Sequence, residues 1–462
     1  MLRELRGLLV LALVLALLGA GVGFGGRPAL YAAGLWVDGG SPTIDPAVFD
    51  PSPAPTPTPQ QPTRYAAGQP SAPAPAGAAL LARVQAVPRT GLGRVSVAVT
   101  DPATGQAVTG EAADVPLTPA SSLKLLTSAA ALAAYGPDHQ FTTKVVSPQP
   151  GRVVLVGGGD PYLRGATRPS YPERASVVDL AEQTAQALKT AGTTSVSLGY
   201  DDTLFPGPGW NPVWLPGYAE FSTPTSALWL DRGVVGSVHS KSPSADAAKV
   251  FAEQFTARGI AVTAVAPATA EQGATVLAEV RSLPLELIVQ ELLLHSDNDA
   301  TEALFRHVAV AAGKPGSITE AQAAVPAKLR EIGLWQEGMR MDDGSGLSRG
   351  NLATASVLSA AVAKGFTDPR YRSLLTGLPT AAADGTLGSR FDDPETEGAA
   401  RGVVRAKTGT LTGTHTLAGF TTTASGTVVA FALMTNDVAP NQDLAARDWL
   451  ERASAAIASC GC

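Results

Sequence analysis

Short stretches of alternating apolar and polar residues mark both ends of the main body of this chain. Residues 94–100 alternate in this way, a turn follows at residues 101–105, and a second alternating stretch comes after the turn. Residues 416–422 and 428–434 repeat the arrangement around another turn. A period of two places apolar side chains on one face of a strand, so each region predicts a β-hairpin. We expect the two hairpins to share one antiparallel sheet.

Helical patterns lie beside and between these hairpins. Residues 79–84 and 442–457 have the apolar spacing of helices near the two ends of the body, and residues 285–294 form an apolar helical run. A further helix is predicted after Pro119, where small residues and good helix formers continue to Tyr135. The patterns together predict an α+β protein, with helices packed on an antiparallel sheet.

The start of the chain differs in composition from the body. Two arginines precede an uncharged apolar run at residues 7–24, which predicts a secretory signal peptide or a membrane anchor within residues 1–26. In either case the rule of positive charges inside places the body outside the cytoplasm. Residues 27–77 are rich in proline with Ala, Ser, Thr and Gln, and are predicted to be a spacer or, alternatively, a ligand for a proline-binding module.

Composition narrows the classes of function. The chain has 462 residues, 45% of them apolar and 16% charged, as in a folded protein of two or three domains. Its net charge of −6 argues against nucleic-acid binding. Only two cysteines occur, Cys460 and Cys462, which is too few for a disulfide-stapled scaffold. They also lack partner residues for a zinc site, and the five histidines are not spaced like metal ligands. We therefore expect neither a metal nor a cofactor.

The segment after Pro119 carries a candidate nucleophile and its base. Ser121 and Lys124 are three residues apart, which places both side chains on one face of a helix. Lysine acts as a base only as the neutral amine, so the site must lower its pKa through burial or a nearby cation. Backbone N–H groups at the helix start would face a developing oxyanion. Ser122 does not suit the role of nucleophile, because no lysine lies three residues after it.

Two further motifs raise this pair above chance. A composition of this kind gives about 0.6 Ser-x-x-Lys pairs by accident, so one pair alone is typical of an ordinary helix surface. However, a Ser-Asp-Asn motif at residues 296–298 follows the apolar helical run, and a Lys-Thr-Gly motif at residues 407–409 precedes a Thr-rich strand pattern. All three motifs in this order arise by accident on the order of one time in a hundred.

The three motifs resemble those of the penicillin-recognising serine acyltransferases. Within that superfamily the chain most resembles the class C low-molecular-mass penicillin-binding proteins, the D-alanyl-D-alanine carboxypeptidase/endopeptidase family. Stretches at residues 157–161, 343–349 and 384–387 extend the resemblance over most of the chain after residue 80. The resemblance implies a transpeptidase/β-lactamase-like antiparallel sheet flanked by helices, with an inserted second domain.

The spacing of the motifs also predicts an inserted domain. Between the first two motifs lie 171 residues, far more than a β-lactamase of the common type would have there. We place the inserted domain at residues 139–275, because a strand pattern returns directly afterwards. The catalytic domain then consists of residues 78–138 and 276–462. The insertion looks shorter than is typical of the family, so an extra subdomain within it is expected to be reduced or missing.

The resemblance implies roles for the first two motifs. Ser121 would attack the carbonyl of the penultimate D-alanine, with Lys124 as its base. Ser296 would relay a proton to the leaving amine. The amide of Asn298 would contact both Lys124 and the substrate backbone. An ordinary alternative for Asn298 is a helix cap, because a helical pattern begins there.

The third motif would bind the end of the substrate. Lys407 would supply a positive field that attracts the terminal carboxylate and opposes protonation of the base. Thr408 and Thr410 would bond the carboxylate, with Gly409 between them in the motif. The resemblance implies an oxyanion hole formed by the backbone N–H groups of Ser121 and Thr410.

Two charged residues outside the motifs form a candidate specificity pocket. Asp160 follows three glycines, and Arg349 ends the stretch at residues 343–349. The resemblance implies that they face the ammonium and the carboxylate of a diaminopimelate-type side chain. The ordinary alternatives are a turn formed by Asp160 before Pro161 and a surface ion pair formed by Arg349.

These features predict a serine D-alanyl-D-alanine carboxypeptidase, with endopeptidase activity as an addition. It would act on peptidoglycan stem peptides, would be acylated by β-lactam antibiotics, and would need no nucleic acid. Two other functions stay open. A β-lactamase uses the same motifs, although no carboxylate at a suitable spacing is evident for activating the deacylating water. A non-catalytic envelope scaffold is the other, opposed by the intact catalytic residues of all three motifs.

Overall fold

The computed structural model of the protein describes residues 75–166, 170 and 172–462. The predicted signal or anchor and the linker up to residue 74 lie outside the described residues. The described residues belong to one compact unit. None of their helices is long and apolar enough to cross a membrane.

Helices and strands are interspersed up to Arg281, and only helices follow until the next strand begins at Arg405. The helices are α1 (Gly77–Gln85), α2 (Lys124–Tyr135), α3 (Val177–Thr190), α4 (Pro243–Ala257), α5 (Leu285–His295), α6 (Asn298–Ala311), α7 (Ile318–Glu331), α8 (Ala355–Thr367), α9 (Ser373–Thr376), α10 (Pro394–Glu397) and α11 (Asp443–Ala458). The strands are β1 (Arg94–Thr100), β2 (Ala107–Glu111), β3 (Thr142–Gln149), β4 (Arg152–Val156), β5 (Ser195–Asp201), β6 (Val234–Val235), β7 (Val238–His239), β8 (Ala261–Pro267), β9 (Thr275–Arg281), β10 (Arg405–Leu411), β11 (Thr414–Thr422) and β12 (Val428–Asn436).

The two predicted hairpins form one five-stranded sheet in the order β10-β11-β12-β1-β2. All neighbouring strands in it are antiparallel. The first strand of the chain, β1, pairs with the last, β12, so the two ends of the body meet in the middle of the sheet. The α+β prediction, with helices flanking an antiparallel sheet, is confirmed. The strand β10, which carries Lys407, lies at one end of the order.

Both faces of this sheet are covered by helices. Val97 and Val99 of β1 belong to a core to which α1 and α11 contribute, whereas Ala98 between them belongs to the core on the opposite face, to which α2, α5, α6, α7 and α8 contribute. Successive side chains of a strand point to opposite faces, so a strand buried on both sides is apolar at nearly every position. Thr100 and Ser359 share a hydrogen bond of 2.8 Å across the buried face.

The start and the end of the described body are joined to each other. Cys460 and Cys462, whose role the sequence left open, form a disulfide. The backbone N–H of Ala76 donates to the carbonyl of Cys462 at 2.9 Å, and Arg83 of α1 donates to Ser459 Oγ at 2.8 Å. The first and last helices are thereby fixed to one another on the same face of the sheet.

A second sheet lies between the first two motifs along the chain. Its order is β8-β5-β4-β3-β9, with parallel pairs at β4-β5 and β5-β8 and antiparallel pairs elsewhere. Helices α3 and α4 pack on it around Leu155, Leu180 and Phe251. Strand β9 pairs with β3, so it belongs to this sheet. We therefore propose that the inserted domain extends beyond the predicted boundary at residue 275 and ends after Arg281.

Candidate active site

The candidate nucleophile lies on a short 3₁₀ helix and its base on the α-helix that follows. The 3₁₀ helix spans Ala120–Leu123, and Lys124 is the first residue of α2. The sequence predicted one continuous helix here. In the structure the first turn is a 3₁₀ helix, and the α-helix begins at Lys124. In a 3₁₀ helix residues three apart are eclipsed, which suits the contact between Lys124 Nζ and Ser121 Oγ at 3.1 Å.

Two close backbone approaches hold the 3₁₀ helix in place. A Cβ on Gly409 would lie 2.1 Å from Thr416 Oγ1 and 2.7 Å from the carbonyl oxygen of Pro119. A Cβ on Gly346, where φ is +89°, would lie 2.0 Å from the carbonyl oxygen of Ala120. Each glycine lets a neighbouring segment contact the backbone beside Ser121. The observed role of Gly409 is thus close packing against the helix that carries the nucleophile.

Lys124 is fully buried and donates to three acceptors. Besides Ser121, its Nζ contacts Asn298 Oδ1 at 2.7 Å and the carbonyl oxygen of Ser345 at 2.6 Å. Burial lowers the pKa of Lys124 to about 8, and nearby carboxylates, first of all Asp343 and Glu302, oppose that shift. A lysine with this pKa supplies an appreciable neutral fraction near neutral pH, as a general base requires.

The second motif forms the turn between α5 and α6. Ser296 has φ of +57°, in the left-handed region, where a residue other than glycine or asparagine is uncommon. Asp297 caps α6, because its Oδ1 accepts from the N–H of Ala300 at 3.0 Å. The alternative of Asn298 as the helix cap is therefore wrong. Its side chain is left to contact Lys124.

Lys407 is also fully buried and contacts the second motif. Its Nζ donates to Ser296 Oγ at 2.8 Å and to the carbonyl oxygen of Thr408 at 2.7 Å. Burial lowers the pKa of Lys407 well below its usual value, and the neighbouring cations Lys124 and Arg390 lower it further. Its surroundings therefore disfavour the charged form of this side chain, which a bound carboxylate would favour.

The threonines of the third motif differ in exposure. Thr408 is nearly buried and its Oγ1 lies 2.9 Å from Thr386 Oγ1, whereas Thr410 is exposed. The stretch at residues 384–387 therefore reaches the site through Thr386. The sequence singled out that stretch only by its resemblance and did not assign Thr386 a role.

Asp160 and Arg349 contact different parts of the molecule. Asp160 is buried, and its Oδ1 accepts from the N–H of Tyr162 at 2.8 Å, the contact of a turn. Burial raises the pKa of its carboxyl to about 7. Arg349 is exposed and donates to the carbonyl oxygen of Thr412 at 3.0 Å, just beyond the end of β10. Arg349 thus lies beside the strand of the third motif, and Asp160 lies within the inserted domain.

Several buried acids support the site and were missed from the sequence. Glu302 accepts from the N–H groups of Gly344 and Ser345 at 3.0 and 2.7 Å, and so fixes the loop whose carbonyl contacts Lys124. Asp343 accepts from the N–H of Ser348 and from Trp214 Nε1 of the inserted domain. One signal was available: Glu302 lies four residues after Asn298 and therefore on the same face of α6.

One carboxylate trio has metal-like spacing but is already neutralised. Oxygens of Asp392, Glu397 and Glu451 lie within 4.8 Å of one another. Glu451 accepts from Arg390 Nε at 2.6 Å and from Arg447 Nε at 3.1 Å. Two guanidinium groups on this carboxylate leave it a poor cation ligand, and Glu451 instead attaches α11 to the loop after residue 387 through Arg390.

Comparison with known proteins agrees with this geometry. A model of the D-Ala-D-Ala carboxypeptidase 3 (S13) family matches residues 77–241 and 236–456. Carboxypeptidase DacB of Mycolicibacterium smegmatis is 36% identical over 99% of this chain and 96% of its own length. A carboxypeptidase of Mycobacterium tuberculosis is 37% identical over 80% of this chain and 81% of its own length.

A solved structure has the same fold. Penicillin binding protein 4 from Haemophilus influenzae superimposes with a TM-score of 0.66 at 22% identity. The match covers 81% of this chain and 97% of that one. The shared fold therefore includes both the antiparallel sheet and most of the remaining described chain.

Proposed function

The chain belongs to the D-Ala-D-Ala carboxypeptidase 3 (S13) family, and on that premise we propose that it cleaves peptidoglycan stem peptides through an acyl-enzyme on Ser121. Its activity is that of a serine-type D-Ala-D-Ala carboxypeptidase, as the family and the two carboxypeptidase relatives indicate. The contact of 3.1 Å between Ser121 Oγ and the buried amine of Lys124 carries the proposal. It joins a nucleophile to a base whose pKa is lowered to about 8.

Acylation begins with proton transfer from Ser121 to the neutral amine of Lys124. The serine oxygen then attacks the carbonyl carbon of the penultimate D-alanine, and the carbonyl oxygen becomes an oxyanion. Backbone N–H groups of Ser121 and Thr410 stabilise that charge. Asn298 Oδ1, which accepts from Lys124 Nζ at 2.7 Å, holds the amine in line with the serine.

Collapse of the tetrahedral intermediate releases the last D-alanine. The C–N bond breaks, and the leaving nitrogen takes a proton from the hydroxyl of Ser296. Protonated Lys407, whose Nζ lies 2.8 Å from Ser296 Oγ, returns a proton to that serine. Water then attacks the acyl-enzyme and gives one proton, through Ser296, to the now neutral Lys407. The ester C–O bond breaks, and the Ser121 oxygen takes back its proton from Lys124, so that both lysines return to their starting forms. A cross-linked peptide that ends in a D-amino acid would be cut by the same steps.

Substrate selection rests on the terminal carboxylate. Lys407, Thr408 and Thr410 lie along β10 and would bond that carboxylate. Its negative charge opposes the effect of burial and so favours the protonated form of Lys407. The β-lactam carboxylate has the same chemistry, and we expect penicillins to acylate Ser121 as substrate mimics.

We propose that Asp160 and Arg349 select a zwitterionic side chain of the diaminopimelate type. The resemblance to the family supports this role, as does the position of Arg349 beside the end of β10. Replacement of either residue by alanine should lower kcat/KM for a diaminopimelyl-D-Ala-D-Ala peptide about 10- to 100-fold, the effect of one charge-assisted contact. Acylation by a plain penicillin should change far less. Equal losses on both ligands would reject selectivity.

The proposed site of action is outside the cytoplasm, where peptidoglycan lies. The leader at residues 1–26 supports this, as a cleaved signal or as a membrane anchor. A reporter that is active only outside the cytoplasm, fused after residue 78, should give signal. Signal from a reporter restricted to the cytoplasm would contradict this location.

Mass spectrometry of the intact protein tests the proposed function directly. Incubation with benzylpenicillin should add one penicilloyl group, and incubation with a D-Ala-D-Ala peptide should release D-alanine. Penicilloyl addition without release of D-alanine would support the binding-only scaffold instead. Rapid turnover of the penicillin, with no effect on the peptide, would indicate a β-lactamase.

A further inference from the structure

The inserted domain fixes the orientation of an active-site amide. Asn298 Nδ2 donates to the backbone carbonyl of Phe221 at 3.0 Å, and Asn298 Oδ1 accepts from Lys124 Nζ at 2.7 Å. An asparagine amide has a donor end and an acceptor end. The Phe221 carbonyl accepts only from the donor end, so it keeps the acceptor end facing Lys124. In the flipped orientation the amide would present N–H groups to the lysine amine.

A buried carboxylate next to Asn298 holds the segment that supplies this carbonyl. Asp299 is 4% exposed, and its Oδ1 accepts from the N–H of Thr223 and from Ser222 Oγ, both at 2.8 Å. These two residues directly follow Phe221. Asp299 does not cap α6, because Asp297 does. A buried carboxylate is costly unless its hydrogen bonds compensate, and both side-chain bonds of Asp299 run to the inserted domain.

A second contact from the inserted domain reaches the same motif. Arg232 Nη1 donates to Asp297 Oδ2 at 3.0 Å. Arg232 has φ of +62° and Asp231 before it has φ of +51°, although neither is a glycine. Consecutive residues in the left-handed region persist only where the surroundings impose them. The inserted domain thus contacts the second motif at two separate points, through the Phe221 carbonyl at Asn298 and through Arg232 at Asp297.

We propose that Asp299 is a positioning residue for the reaction, acting through the inserted-domain segment at residues 221–223. By holding that segment, it keeps the Phe221 carbonyl on Asn298 and, through Asn298, keeps Lys124 directed at Ser121. The inserted domain is then a structural part of the catalytic machinery. This inference rests on the proposed function, because its readout is acylation of Ser121.

The first test compares two substitutions of Asp299 in the full chain. Asp299→Ala removes both bonds and should lower the second-order rate of acylation by benzylpenicillin about 10- to 100-fold, in line with a misplaced catalytic group. Asp299→Asn keeps an acceptor for Thr223 and Ser222 and should stay within about threefold of wild type. An unchanged rate in Asp299→Ala, or an equal loss in both variants, would overturn the proposal.

The matched control is a buried aspartate of the inserted domain that does not contact the motif. Asp201 is 5% exposed and accepts from the N–H groups of Thr203 and Ala270 at 2.9 and 2.7 Å. Asp201→Ala should lower the melting temperature while the folded fraction is acylated at the wild-type rate. A loss of acylation equal to that of Asp299→Ala would attribute the effect to general destabilisation and overturn the proposal.

A double-mutant cycle distinguishes positioning from an independent structural role. If Asp299 acts through Asn298, then Asp299→Ala should cost less than about threefold in a chain that already carries Asn298→Ala. Additive losses would overturn the proposal. Should Asp299→Ala fail to fold, Ser222→Ala removes one of the two bonds from the other side, and an unchanged acylation rate there would also overturn it.

An unacylated wild-type protein would refute the proposed function itself. By contrast, normal acylation of both wild type and Asp299→Ala would refute only the positioning role. The two failures are therefore distinguishable in a single set of measurements.

Discussion

The active site contains two buried lysine–serine pairs that look alike in geometry. Lys124 Nζ lies 3.1 Å from Ser121 Oγ, and Lys407 Nζ lies 2.8 Å from Ser296 Oγ. Both lysines are fully buried, and each donates in addition to a backbone carbonyl. Distances alone therefore do not decide which serine is the nucleophile.

The electrostatic surroundings of the two lysines are opposite. Lys124 has four acidic neighbours that oppose the effect of burial, namely Asp343, Glu302, Asp297 and Asp299. Lys407 has cationic neighbours, Lys124 and Arg390, which add to the effect of burial. The pKa of Lys124 is accordingly held near 8, whereas that of Lys407 falls well below its usual value.

This difference bears on the role expected of Lys407. The resemblance implied a positive field at Lys407 that attracts the substrate carboxylate and opposes protonation of Lys124. In the structure burial and the neighbouring cations Lys124 and Arg390 lower the pKa of Lys407, whereas carboxylates oppose the effect of burial at Lys124. A substrate carboxylate would oppose the same effect at Lys407. The two pairs thus differ in the sign of the charges that surround each lysine.

The largest expected effect separates the two serines. Ser121→Ala should abolish covalent labelling by penicillin, because it removes the attacking oxygen. Ser296→Ala should slow labelling without abolishing it, since this serine only transfers a proton. Intact-mass measurement of the labelled fraction checks both variants. Full labelling of Ser121→Ala would assign the nucleophile to the other pair.

Replacement of the base should have the next largest effect. Lys124→Arg keeps a positive charge but does not deprotonate near neutral pH, so acylation should fall about 10²- to 10⁴-fold. Stopped-flow acylation by a chromogenic β-lactam measures the rate. Lys328→Arg, at an exposed pair with Glu331, is the control for the substitution itself and should be silent. Near-normal acylation of Lys124→Arg would refute the base role.

Loss of carboxylate recognition should be smaller and selective. Lys407→Gln removes a charge-assisted contact and should lower kcat/KM for a D-Ala-D-Ala peptide about 10- to 100-fold. The same peptide with a C-terminal amide should be a poor substrate of wild type and should lose less in the variant, because for that peptide only the proton return to Ser296 is removed. A uniform loss on both peptides would indicate that Lys407 acts through proton return alone and does not recognise the carboxylate.

The smallest effect concerns pH and sharpens the contrast between the lysines. Because Lys124 must be neutral to act, acylation should rise with pH and level off above a pKa of about 8, a gain of about tenfold between pH 7 and pH 9. In Lys407→Gln the apparent pKa should stay near 8 if Lys407 is neutral in the free protein. An upward shift would show that Lys407 carries a charge there, since removal of a cation favours protonation of its neighbour.

Local patterns in the sequence were sufficient for the elements of the catalytic sheet. The helical run predicted at residues 285–294 is observed as Leu285–His295, and the C-terminal hairpin extends the predicted strands by only two residues at their outer ends. Periodicity is strong here because each element buries one defined face. The spacing of Ser121 and Lys124 likewise predicted a contact correctly, because residues three apart lie on the same face of a helix.

Contacts between distant segments could not be predicted in this way. Phe221 reaches Asn298 across 77 positions, and Glu302 reaches Ser345 across 43. Neither a backbone carbonyl nor a buried acid leaves a periodic signal, so nothing in the pattern pairs them. The same reason explains why the predicted boundary at residue 275 differs from the one proposed from the structure, because the pattern of strand β9 does not show which sheet it joins.

The place of β10 at the end of its sheet has a consequence for recognition of the peptide backbone. An isolated bridge between Thr380 and Arg405 covers the beginning of its outer side, and from Lys407 onward no strand among the described residues pairs with that side. An open edge of this kind is normally an aggregation hazard. Here it could serve as a template, because an extended peptide laid against it would become a sixth strand through main-chain hydrogen bonds that any residue can form. These main-chain hydrogen bonds would require a peptide of the right chain direction and an extended conformation. Its side chains would be recognised by the pockets around the strand.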